Sequence, residues 1–129
     1  MRSLAEEGST TLETTLMILV LLPLLFAVVE FGDVFHRWLA QDAATAHAAR
    51  YAAEIGGDTP EVRARLDEAL RDSGIDPARA VVEISPPRVG WRERITVSVR
   101  TDAQIAIPFV LTTVLPLRST AVARGEIAR

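Results

Sequence analysis

The 129-residue chain has no cysteine, so a disulfide framework, a thiolate zinc site, an iron–sulfur cluster and a cysteine nucleophile are all excluded. Lysine is missing as well. All fourteen basic residues are arginine, and seventeen acids outnumber them for a formal net charge of −3. Such a chain has no basic stripe to neutralise a phosphate backbone, and no nucleic-acid partner is expected. Catalytic signatures are absent too: there is no HExxH, no GxSxG, no phosphate loop, and Ser, His and Asp are scattered without relay spacing. The sequence therefore reads as a non-enzyme without a cofactor. His36 and His47 lie eleven residues apart. On a helix that separates them by roughly 16 Å, too far for one metal, and they read as surface histidines.

What the chain has is an apolar run. Between Glu13 and Glu30 lie sixteen uncharged residues, Thr14 to Val29, reading TTLMILVLLPLLFAVV. A sixteen-residue helix is roughly 24 Å long, short of a hydrocarbon core of about 30 Å. Leu12, Phe31 and Phe35 supply the extension, and Glu13 and Glu30 then sit near the two membrane boundaries. The run reads as a single membrane span. A cleavable secretory signal fits poorly, because Glu6 and Glu7 outnumber Arg2 before the run and the nearest Ala-x-Ala is Ala46-His47-Ala48. Pro23 removes one internal hydrogen bond and is expected to kink or loosen this helix, an event membrane spans tolerate.

Beyond the span, residues 40–53 hold eight alanines, which favours one helix running from the membrane into a stem that stops at Gly56-Gly57. Asp58-Thr59-Pro60-Glu61 is a second helix start, with Val62, Leu66, Ala69 and Leu70 on one face until Gly74. Strand patterns follow: Ala80 to Ser85, then Ile95, Val97 and Val99 alternating with polar residues, the two pairing as a hairpin. Ile105 and Ile107 alternate separately before Pro108, Phe109 to Val114 reads as a loop or helical turn, and Leu115 to Arg124 as a last strand. The fold class expected is α+β: a long N-terminal transmembrane helix continuing into a domain with a short second helix and a small, mostly antiparallel sheet.

Immediately before the apolar run stands Gly8-Ser9-Thr10-Thr11-Leu12-Glu13, a glycine followed at the fifth position by an acid. With the Leu/Val run, Pro23 and the closing Glu30-Phe31-Gly32, it resembles the class III signal of type IV pilins. The whole stretch resembles the TadE-like minor pilins of tight-adherence pili. The stem AHAARYAA, the strand ITVSV, and the late IPFV followed by LPLRSTAVARGE are similar to that family's order of elements.

The resemblance implies a minor pilin or pseudopilin-like subunit with a leader at residues 1–8, a transmembrane segment at 9–35 and an exported stem and α+β domain at 36–129. A prepilin peptidase would cut between Gly8 and Ser9. Its other partners would be major and minor pilins, inner-membrane platform proteins, a secretion ATPase and membrane lipid. It would sit in the cytoplasmic membrane as a single-pass protein and enter a cell-surface adhesive pilus.

In physical terms, cleavage would give Ser9 a free ammonium, and a desolvated Glu13 carboxylate needs a partner. One subunit's Glu13 pairing with a neighbour's Ser9 would set register in a helix bundle, whereas an unpaired Glu13 would simply anchor the helix end at the headgroups. Glu30 lies seventeen residues from Glu13, roughly 25 Å along the helix, and has two readings: pairing with a neighbour's Arg37, or solvation where lipid ends. The leader departs from the pilin pattern, since Glu6 and Glu7 stand where basic residues are usual. The alternative from another class is a single-pass anchored binding or regulatory module with no filament role.

Overall fold

The computed structural model describes residues 4–127; of the expected leader, residues 1–3 lie outside the described residues. A single helix, α1 (Leu4–Ile55), takes up 52 residues and at 1.5 Å per residue is about 78 Å long. It runs unbroken through Pro23 and joins span and stem as one element. Gly56 and Gly57 stop it, with φ of +93° and +138° and both N–H groups donating to the Ala52 carbonyl. At Gly57 a Cβ would overlap the Pro87 carbonyl, so only glycine fits.

Helix α2 (Pro60–Asp72) begins where the sequence signals it. The Thr59 hydroxyl accepts from the Val62 N–H, Pro60 holds the first helical position, and Arg63 clasps Asp58 through two hydrogen bonds of 2.8 and 2.7 Å. The face carrying Val62, Leu66 and Leu70 is buried against the alanine face of α1, where Ala48, Ala49 and Ala52 let the helices approach closely. Truncating either leucine should cost about 2–5 kcal/mol.

A short 3₁₀ turn (Pro77–Arg79) leads to strands β1 (Val81–Ser85), β2 (Arg94–Ile107) and β3 (Leu111–Arg124), an antiparallel sheet of order β1-β2-β3. The α+β expectation matches this arrangement, but two strand boundaries do not. Residues 105–107 are no separate strand: Ile95, Val97, Val99, Thr101, Ala103, Ile105 and Ile107 alternate without interruption along one fourteen-residue β2. Residues 111–114 are no loop, because Leu111 to Val114 pair with Ile107 to Gln104 and leave only a tight turn between the strands. All four of those side chains are exposed, so the period-two signal that betrays a half-buried strand is missing there. Pro116 inside β3 is tolerated because β3 is an edge strand.

The sheet lies on α1 through two apolar clusters. The upper one joins the alanines of the stem and the buried face of α2 to Ile84, Ile95, Val97 and Val99. The lower one gathers Val34, Ala103, Ile105, Ile107 and Leu117, with Ala27 and Leu115 packed against it. Ala27, Val34, Gln41 and Ala48 are seven residues apart in sequence and so fall on one face of α1. That face carries the sheet.

Candidate processing and assembly site

The first described turns of α1 carry Gly8, Ser9 and Glu13. All three are exposed, and a Cβ built on Gly8 would meet no atom within 4 Å. Ser9 and Glu13 are one turn apart, and with Leu12, Leu16, Met17, Val20 and Leu21 they border one shallow, open furrow along the helix. The two threonines that follow Glu13 suit an apolar medium. Thr14 and Thr15 turn their hydroxyls back onto the Thr10 and Thr11 carbonyls at 2.9 and 2.8 Å, so neither enters lipid with a free O–H. No described residue forms an ion pair with Glu13.

From Leu12 to Phe31 the large apolar side chains point outward; Leu19 is 66% exposed and Val20 68%. Among the described residues, α1 is the one helix long and apolar enough to cross a membrane, and no part of its most apolar stretch is buried. Pro23 stands midway, half-buried, on the face that continues through Ala27 and Glu30.

Glu30 is not brought near Glu13. Its carboxylate accepts the Ala106 N–H at 3.5 Å, a long bond to the backbone of this chain's own β2. Arg37, considered as its partner from a neighbouring copy, is held by Asp33 at 2.9 Å one turn away. The far end of the span is thus clad on one face by the β2–β3 hairpin, an arrangement with no local trace in the sequence.

The sequence reading also passed over Gln41, which is fully buried between helix and sheet. Its amide nitrogen donates to the Val99 carbonyl at 2.9 Å and, at 3.4 Å, to that of Leu117; its amide oxygen accepts from the Thr101 hydroxyl. Thr45, also fully buried, donates to the Gln41 carbonyl at 2.7 Å. A clue existed in the phase: Gln41 is a polar residue seven positions from both Val34 and Ala48, on the stripe that ought to be apolar. Nearby, Trp38 donates its indole N–H to the Arg118 carbonyl at 3.3 Å. These contacts lock the sheet at one height on the rod.

At the outer end, charge is arranged around α2. Asp58 raises the Arg63 pKa above its ordinary value. Glu61 is held below the usual carboxylate range, first by its own backbone N–H and then by the Thr59 hydroxyl. The Arg65 guanidinium lies 4.0 Å above the Tyr51 ring centre. Among the described residues, no three His, Asp or Glu side chains converge to hold a metal ion.

With this geometry in view, residues 8–50 match the model of the family described as TadE-like protein, the family the sequence resembles. The match begins at Gly8 and ends on the stem, taking in a third of the chain and none of the sheet. It associates the chain with the Tad pilus machinery in general terms. No curated protein and no solved structure matches the chain.

Proposed function

We propose that the chain is a single-pass, pilin-like structural subunit of a tight-adherence pilus system, working by assembly and not by catalysis. One observation carries this reading: the TadE-like match starts at Gly8, and the half of α1 that follows is a bare apolar rod interrupted on its furrow only by Ser9 and Glu13. A rod apolar on all sides has to be covered by lipid or by other helices. Glu13 has no ion-pair partner among the described residues, and in an apolar medium it needs one.

Cleavage between Gly8 and Ser9 would create that partner. The new Ser9 ammonium of one subunit can pair with Glu13 of the next, a charge-assisted contact that fixes axial stagger while apolar side chains provide cohesion. The bond to be cut lies inside α1, so the peptidase must unwind the helix there. Gly8 helps, since glycine is about 1 kcal/mol less favourable than alanine in a helix interior.

The test is intact mass and N-terminal sequencing of the membrane-extracted protein, with and without a co-expressed prepilin peptidase. A chain beginning at Ser9 only when the peptidase is present, and uncut in Gly8→Leu, is the expected result. A chain that keeps Gly8 under both conditions would sink the processed-subunit reading and leave an anchored binding or regulatory module.

A further inference from the structure

The uncharged run in α1 has a counterpart in the sheet. From Ala103 to Leu117 the hairpin of β2 and β3 carries no charged residue, and the run is closed at both ends by Asp102 and Arg118. Those two charges lie level with Arg37 and Trp38 of the rod: Arg37 and Asp102 line one surface hollow, and Trp38 bonds the Arg118 backbone. Below that level α1 carries two acidic groups before the apolar run: Asp33, exposed and paired with Arg37, and Glu30, whose carboxylate takes the Ala106 N–H.

The turn itself is unusual. Val110 N–H donates to the Ile107 carbonyl at 3.1 Å, with Pro108 second and Phe109 third at φ +64°. That is the pattern of a type II turn, whose third position ordinarily takes glycine or asparagine. Here it holds a phenylalanine that is 93% exposed, beside Val110 at 60%. Left-handed backbone costs an ordinary residue roughly 1–2 kcal/mol.

β2 ends at Ile107, one residue past Ala106, and Phe109 follows two residues later in the turn, so the tip reaches at most about 10 Å beyond the level of Glu30 at 3.3 Å per extended residue. This places it beside the apolar run of α1, past Ala27, where the lower cluster ends.

We propose that the tip of the β2–β3 hairpin, Pro108 to Leu111, is a second membrane-contacting element that enters the headgroup–acyl boundary alongside α1. Lipid is the occupant because the tip is continuous, in height and in lack of charge, with the segment of α1 that lipid would cover. The contact is shallow. The outer edge of β3 and the lower edge of β2, beyond the reach of β1, have no strand partner, and apart from the Ala106 N–H on Glu30 their outward backbone groups would not be tolerated in hydrocarbon, so the strands stay among hydrated headgroups and only the turn goes deeper. The inference rests on the reading of α1 as a membrane anchor.

Because the chain has no cysteine, single nitroxide labels can be placed at will. Full-length Phe109→Cys, Phe26→Cys and Glu68→Cys would each be spin-labelled and reconstituted in phosphatidylethanolamine–phosphatidylglycerol vesicles. Collision with oxygen, which concentrates in lipid, is then compared with collision by a polar nickel chelate. The expected result is an oxygen-to-nickel ratio at 109 shifted from the aqueous value at 68 toward the lipid value at 26. An aqueous ratio at 109 with a lipid ratio at 26 overturns the hairpin proposal and spares the anchor. Aqueous ratios at both overturn both. Protection of 109 from both reagents means that protein, such as a second copy, covers the tip, and also overturns it. Val110→Cys repeats the measurement if the Phe109 variant does not fold.

Discussion

Replacing Gln41 by leucine, a side chain of similar size, tests how the sheet is held on the rod. The substitution removes the amide that donates to the Val99 and Leu117 carbonyls and the oxygen that accepts from Thr101. The Thr101 hydroxyl, buried, would be left without its acceptor, at about 1–3 kcal/mol, and the lost donor bonds add roughly 0.5–1.5 kcal/mol net. Apolar burial of the leucine offsets part of this, leaving a destabilisation of about 2 kcal/mol. For a folded unit of this size that lowers Tm by roughly 8–16 °C. Thermal unfolding of the detergent-solubilised chain, followed by far-ultraviolet circular dichroism, gives the value. The double variant Gln41→Leu/Thr101→Val should recover at least half the loss, since both polar partners then leave together. A single-variant cost under about 0.5 kcal/mol, or a double variant equal to the sum of the singles, would refute the role of the Gln41–Thr101 pair in holding the sheet on the rod.

Three further outcomes are expected. Gly57→Ala should cost at least about 2 kcal/mol in denaturant unfolding, since its φ of +138° is strained for alanine and the new methyl would overlap the Pro87 carbonyl. Glu61 has a folded pKa below its unfolded one, so its contribution is full above about pH 4.3 and is lost as pH falls through the lowered folded value. Protection factors of the Val62 and Arg63 amides, taken relative to the intrinsic exchange rate at each pH, should therefore fall on acidification below that point, and Glu61→Gln should remove this dependence. Glu13→Ala should leave membrane insertion intact while abolishing incorporation into pili in a complementation assay; normal pili would count against the charge-pairing rule.

Much of the fold was legible because its signals are local. The apolar run, the alanine stem, Gly56-Gly57 and the Thr59-Pro60 start each act within a few residues, and each element forms where they stand. What escaped the sequence was set across the chain. Residues 111–114 extend only because β2 offers them partners, and Glu30 meets Ala106, seventy-six residues away, through a hairpin whose height no local pattern gives. Gln41 was hidden for a related reason: in an alanine-rich stem, a lone glutamine looks like an ordinary solvent-facing helix former.

The closure of the outer domain bears on the order in which the chain can be made. Glu126 donates its N–H to the Ala53 carbonyl, and Gly125 exchanges hydrogen bonds with Arg92 and Glu93. The rod's upper end is therefore not sealed until the ribosome has added 73 residues beyond Ala53. At 5–20 residues per second this takes roughly 4–15 s, during which α1 is complete and its sheet is not. An uncovered helix face in that interval invites wrong contacts. In the stem this face consists mainly of alanine methyl groups, with a threonine and a glutamine among them, and not of leucine and phenylalanine. The small residues that later let the sheet sit close also leave little for a nascent neighbour to adhere to.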